Sequence, residues 1–464
     1  MSLPFDRSLA SRESRPRFLL FIVIALVLLR WWLGSLPGYP PDLHAYKQWA
    51  LVAGTEGVHT IFDRSSYDYP PLYAYLLAPF GWLYATLAPG AITDFESTRR
   101  FGDSALFSIL VKIPPLAFDI LLAFLLAVLA RRFRLWETDT KRGWLPALLY
   151  LCLPPVLFNS GYWGQPDVVH TFSILLSLAL ILAGKAELGW VAAALACMMK
   201  PLAAPFLPLL ACATLACSGW KRMLRGWAAG LAAAVLVLAP FFLTGRGERV
   251  VSRLVGDVDL MPFASVNGHN LWWLLAPWKP AEEPWIGPIT RTQAGLAIFA
   301  LAYAAILLLV YRIERDRARG SLLARGPRPL NEEMHWFWAG AAVPWVFFSF
   351  STHMHENHLF GVLPFLVLLA GRGRRWLALC ALVALGVAFN MAVHDIALAE
   401  GVFRHWGGAS SFFHPDMRRM LSRFEWWGST LNSLALLALL ALFFVWGFQR
   451  RFDAGSRIAS ARMR

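Results

Sequence analysis

The feature that most constrains this chain is the recurrence of uninterrupted apolar runs of about 17–25 residues. That is the length at which an α-helix crosses the roughly 30 Å hydrocarbon core of a bilayer. The runs begin at 18–36 and recur as far as 429–448. No stretch between them has the balanced composition of a soluble domain. Across 464 residues, 58% are hydrophobic and 16% charged, against roughly 45–50% and 25% in soluble domains. A soluble enzyme, a disordered chain and a disulfide scaffold are therefore excluded. Cys152, Cys197, Cys212, Cys217 and Cys380 all lie in apolar segments and form no CxxC pair. They read as small core residues. The expected fold class is an all-α polytopic membrane protein, with 1–464 forming one integral-membrane domain.

The charge balance, 43 − 29 = +14, does not point to nucleic acid, because the basic residues sit mostly in short loops between apolar runs. That is the positive-inside pattern. The run 18–36 is too long for a signal-peptide core and lacks a small-residue cleavage site, so it reads as an uncleaved anchor. Placing Arg131, Arg132, Arg134, Lys141 and Arg142 inside makes 37–104 one long external loop with interfacial helices; the apolar run at 70–88 then does not cross. The further spans are 105–130, 143–160, 168–184, a pair within 190–218, 226–244, 294–311, 336–350, 359–371, 376–393 and 429–448. The pair is required by parity. Lys185 and the Lys221, Arg222, Arg225 group both belong inside, so the residues between them cross an even number of times, with a break at Met199-Lys200-Pro201. One very long tilted helix is the alternative. About twelve spans result, with both termini in the cytoplasm and a second external loop at 245–293.

With the topology set by basic residues alone, the other polar motifs fall on the outer face. They are Asp42, Asp68-Tyr69, Gln165-Pro166-Asp167, Lys200, Asn267 to Trp272, and His353 to His358. The inner loops carry no comparable clusters. This one-sidedness suggests a reaction at the outer boundary and argues against a path through the midplane. Each cluster also has a plainer explanation. Asp42 and Asp68 each precede a helix start and could cap it. Gln165 and Asp167 flank an ordinary Gly/Pro turn. Lys200 needs a partner at the membrane edge, either a phosphate or a carboxylate such as Asp167. The HxHxxH of His353, His355 and His358 is a poor zinc spacing with no second ligand group. The Asp257-Val258-Asp259 triplet is a lone DxD, which is weak. Lys112 and Asp119 lie seven apart on one helical face and could pair within the bundle.

Taken in order, these motifs resemble the GT-C class of integral-membrane glycosyltransferases. The nearest pattern is that of the dolichyl-phosphate-glucose-dependent glucosyltransferases of N-glycan assembly and their bacterial polyprenyl-phosphate-sugar-dependent relatives. The likeness runs from Asp42 to Pro364. The family's first-loop Asp, Ala and Trp fall on Asp42, Ala45 and Trp49, and its DYPPL stands intact from Asp68 to Leu72. Its membrane Asp corresponds to Asp119, its FQYN to the segment holding Gln165 and Asp167, and its Tyr-Lys-Gln to Met199-Lys200-Pro201. Its Asn-x-Trp is matched by Asn270 and Trp272, and its VHEK by Met354-His355-Glu356-Asn357. Pro41, Asp167 and Asn357 depart from the pattern, and they bear on donor sugar and acceptor more than on reaction type.

The resemblance implies transfer of a hexose from a polyprenyl-phosphate donor to an acceptor hydroxyl on a glycan, lipid or protein, at the periplasmic face of a bacterial inner membrane. It assigns the general base to Asp42. A departing phosphate needs positive charge or donors near it, for which Lys200 and His355 are candidates and Arg30 a further one. Asp68, Gln165, Asp167, Asn270 and Glu356 are the expected substrate-binding residues. No metal or other cofactor is expected. The competing class is a transporter or flippase of lipid-linked sugars; the absence of a visible internal repeat and the one-sided polar clusters weigh against it.

Overall fold

The structure, a computed structural model, describes residues 21–22, 24–89, 105–136, 143–255, 262–321, 333–400 and 415–462. The beginning of the first expected span, Lys141 with Arg142, and Asp257 with Asp259 lie outside the described residues. The architecture is helical. Among the described residues the strands are one short antiparallel pair, β1 (Pro284–Ile286) and β2 (Ile289–Thr290).

Helix α1 (Ile24–Ser35) leads into α2 (Pro40–Thr55) and α3 (Leu72–Leu87). These last two occupy the segment expected as an external loop. They cross so closely that a Cβ on Gly81 would fall 1.7 Å from the Ala50 carbonyl oxygen, and one on Gly54 would fall 2.3 Å from the Trp82 nitrogen. Only glycine permits that approach, as at many membrane helix crossings. Helix α4 (Ala105–Arg132) follows, then α5 (Leu145–Cys152) and a π-helical turn, Leu157–Trp163. The expected single span at 143–160 is bent by 63° between these pieces, where Pro154 and Pro155 remove backbone donors.

Helices α6 (Asp167–Leu182) and α7 (Ala186–Cys197) lead to Lys200. A 3₁₀ segment, Pro201–Phe206, continues into α8 (Leu207–Ser218), and α9 (Trp220–Leu243) returns. An Arg222 Nη1 donates to the Gly184 carbonyl at 2.5 Å. Residues 184 and 222 therefore share one end of the bundle, and the chain between them goes out and back. The break is where the charge argument required it, at the extended backbone of Lys200. The alternative of one long helix is excluded.

Beyond α10 (Gly247–Val255) and α11 (Leu271–Leu275), α12 (Arg291–Ser321) and α13 (Met334–Phe350) flank the core. Helices α14 (Leu363–Ala370), α15 (Arg374–Glu400), α16 (Pro415–Ser422) and α17 (Glu425–Arg462) complete it. The count of about twelve spans is finer than what the helices support. Among the described residues six are long and apolar enough to cross, or seven with the bent pair as one. The other expected spans are shorter apolar helices, cut by the Pro and Gly turns that carry polar residues. Leu231, Val235, Leu236, Phe242 and Leu243 on α9 are all more than half exposed. Such a stripe is at home against lipid tails and out of place in water.

Asp119 and Lys112 do not pair. The Lys112 amine donates to the carbonyls of Leu36 at 2.7 Å and Tyr162 at 2.6 Å. Asp119 instead accepts from the Tyr150 hydroxyl at 2.9 Å. Two turns of helix hold the two side chains too far apart along the axis, and each finds a nearer partner on a neighbouring segment.

Candidate active site

Pro40 and Pro41 open α2, with their fixed φ suited to the first turn. Tyr39 is the N-cap and supplies no side-chain cap. Asp42, in that first turn, does not cap the helix; its Oδ2 accepts a hydrogen bond from Gln165 Nε2 at 2.5 Å. Asp68 does not cap α3 either, since the N-cap there is Pro71, again without a side-chain bond. Both capping explanations are set aside.

Gln165 is aimed by its surroundings. The π-helical turn widens the backbone at Asn159, whose carbonyl accepts the Gln165 N–H at 2.9 Å. Gly164 turns the chain with φ of 81°, a conformation other residues rarely adopt. The Tyr69 hydroxyl reaches Gln165 Oε1 at 3.4 Å, so Gln165 links the first loop to the DYPPL segment.

Next to it lies a buried ion pair. Lys200 Nζ is 2.6 Å from Asp167 Oδ1, with side-chain exposures of 9% and 1%. Asp167 Oδ2 also accepts from Asn357 Nδ2 at 2.8 Å and Asn159 Nδ2 at 3.3 Å. Three donors thus satisfy one buried carboxylate, as burial of a charge demands. Lys200 lies 5.4 Å from the centroid of the Tyr69 ring. The same tyrosine lines a cavity of about 290 Å³, together with Asp42, Asp68, Tyr46, Trp49 and Arg253. Tyr69 thus touches both the cavity that Asp42 lines and the Lys200 ammonium, whose charge acts on Asp42.

Burial pushes the Asp42 carboxyl up to about 7, opposed by the Lys200 charge and the Gln165 hydrogen bond and assisted by Asp68 and Asp167. Asp68, at the open rim, is pushed less far, to about 6, chiefly by the protein around it, against Lys200 and Arg253. His355 is driven down to about 4 by burial and by the positive charge of Lys200. It is a neutral imidazole at neutral pH, able to donate one N–H but carrying no charge of its own. Burial lifts Glu356 to about 8, with Asp42 and Asp167 adding to the effect.

Five of the six polar clusters meet here directly. The sixth joins through Asn267, whose amide contacts His394 Nδ1, while that nitrogen lies 3.2 Å from Glu356 Oε2. Asn270 has a different occupation. Its Oδ1 accepts from the backbone of Trp272 and Trp273, and its Nδ2 donates to the Phe348 and Ser351 carbonyls. All its hydrogen-bonding capacity caps α11 and ties it to α13. Arg30 points to the Leu151 carbonyl at 2.7 Å, near Asp119, and not into the Lys200 cluster. Asn159 and His394 escaped the sequence reading. Each is a polar residue within an apolar run, which is the available signal; Asn390 and His394, four apart on α15, mark one face together. Among the described residues no group of three His, Cys, Asp or Glu side chains is placed to hold a metal.

No family model matches the chain, and no curated relative matches it. Among solved structures the chain is similar to the crystal structure of ArnT from Cupriavidus metallidurans in the apo state. The TM-score is 0.48 at 15% identity, covering 93% of this chain and 77% of that one.

Proposed function

We propose that the protein is a membrane glycosyltransferase that moves a sugar from a polyprenyl-phosphate donor to an acceptor hydroxyl, with inversion. The observation that carries this reading is that Asp42 lines the aromatic cavity while the charge of Lys200, paired with Asp167, acts on it. Inverting displacement needs one base on the acceptor and positive charge on the leaving phosphate, from opposite sides of the anomeric carbon. Asp42 faces the cavity, where an acceptor hydroxyl can reach it. Lys200 lies over the ring of Tyr69, with His355 and Asn357 as neutral donors nearby. A phosphate arriving there competes with Asp167 for the ammonium. Gln165 holds one oxygen of Asp42, leaving the other to take the proton.

The lipid tail of such a donor explains why the enzyme is embedded in apolar helices. The family resemblance favours a hexose, and the acceptor is a glycan, lipid or protein hydroxyl. A panel of short-chain polyprenyl-phosphate hexoses and pentoses, labelled in the sugar, tests the reading with the purified protein in detergent. Release or transfer of label supports a transferase. A lipid-sugar flippase would change no bond in any member of the panel, and that result would move the protein to the transport class.

The charge bias supports a periplasmic position for this site. A single cysteine in place of Arg64, whose side chain is 57% exposed, should react with an impermeant thiol reagent in intact cells; one in place of Gly320 should not. Labelling at 320 from outside would reverse the orientation. Turnover is expected to survive EDTA, since the leaving phosphate is a stable anion and Lys200 supplies a cation. Activity lost to chelation and restored by manganese or magnesium would bring Asp257 and Asp259 back as ligands.

A further inference from the structure

Three carboxyl groups, Asp42, Asp167 and Glu356, lie within electrostatic reach of one another, and Lys200 is the cation acting on Glu356 among them. That ammonium is already engaged by Asp167. Glu356 is 4% exposed, and its buried Oε2 has no hydrogen-bond partner while lying 3.2 Å from His394 Nδ1. The imidazole is held firmly from several sides. Its ring meets Tyr39 at 5.3 Å and Trp163 at 5.4 Å between centroids. Asn390, one turn earlier on α15, donates to the Asn267 carbonyl and accepts the His269 N–H. A second buried carboxylate ionised beside Asp42, with Lys200 as the one cation acting on it among the described residues, would oppose ionisation of the base.

Resting on the reading of Asp42 as base, we infer that Glu356 and His394 form a buried couple that keeps one proton on Glu356, so that Asp42 is the carboxyl that ionises. Glu356 is buried within the protein, and His394 is its positioning residue. In the transfer step, the acceptor O–H proton passes to Asp42 and its electron pair forms the new bond to the anomeric carbon. The bond from that carbon to the phosphate oxygen breaks, and its pair leaves with the polyprenyl phosphate. The proton on Glu356 is not consumed. Burial lifts Glu356 further than Asp42, which agrees with this order of ionisation. The charged or titratable groups facing the couple are Asp42, Lys200 and Asp167 around Glu356, and His355 and His269 around His394.

The full-length protein in detergent tests this by its pH profile. Transfer should fall at alkaline pH as Glu356 loses its proton, because the new carboxylate competes with the departing phosphate for Lys200, by about tenfold one unit above a pKa of about 8. Glu356→Gln cannot ionise, so that decline should vanish and the ratio of rates at pH 9 and pH 7 should rise about tenfold over wild type. His394→Gln should move the decline to lower pH. A Glu356→Gln protein that melts normally yet transfers at no pH would mean that ionised Glu356 is needed, and the inference would be wrong. An unchanged profile in His394→Gln would remove the couple. If the wild type transfers no sugar at all, the functional reading fails separately. Infrared difference spectra between wild type and Glu356→Gln at neutral pH then decide the proton alone. A protonated carboxyl band belonging to Glu356 supports the couple, and its absence overturns it.

Discussion

Asp42→Asn should lower sugar transfer by about 100-fold or more while leaving donor binding and thermal stability near wild type. Asparagine is close in size and its carbonyl can still accept the Gln165 amide, which is the one side-chain bond Asp42 makes to that segment. No helix cap is lost, because Asp42 does not serve as one. The substitution therefore removes little besides the ability to take a proton. The wild-type rate should rise with pH through about 7, where the raised Asp42 carboxyl ionises; below that point each unit should cost about tenfold. A folded Asp42→Asn protein with wild-type turnover would leave the reaction without its base, and Asp68 at the cavity rim would be the next carboxyl to test.

Lys200→Met should have a double effect, on folding and on donor affinity. Its ammonium neutralises Asp167 in a buried pair, and removing one member of such a pair costs about 3–5 kcal/mol. The amides of Asn357 and Asn159 remain on Asp167 and should hold the loss to the lower end. Melting in detergent will read this. Adding Asp167→Asn removes the stranded charge and keeps an acceptor for the two amides, so stability should recover in the double variant. Donor binding should not recover, because the phosphate has lost its cation. Recovery of both would mean that Lys200 is purely structural.

The fold was legible because its two strongest signals are physical necessities: apolar runs must be long enough to hide their backbone from lipid, and basic loops must stay on one side. Those signals placed the turn at Lys200 and brought Asp42, Asp68, Gln165, Asp167 and Glu356 to one end of the bundle. They could not show which partner each polar group takes. Lys112 and Asp119 share a helical face in sequence, yet the carbonyls of Leu36 and Tyr162 and the hydroxyl of Tyr150 are nearer in space. Asn270 reads as a site residue by its match to the Asn-x-Trp motif, yet its short amide is spent on four partners around α11. The imidazole of His394 was hidden by its neighbours, since one histidine in an apolar helix says nothing about the carboxyl it will face. The bend at Pro154 and the widened turn after it also lay beyond periodicity.

Lys112 has one more consequence. Asp42 and Gln165 are 123 residues apart in sequence, so their alignment could have inherited every small displacement of the helices between them. Instead a single nitrogen grips Leu36, just before α2, and Tyr162, just before Gln165. The two arms are gauged from one shared point, a few residues from the groups that must meet. Changes of length in the connections between those arms can then be absorbed without being felt at the base. An insertion between Leu36 and Asp42, or between Tyr162 and Gln165, has no such allowance, and tolerance to added residues should change abruptly at those two borders.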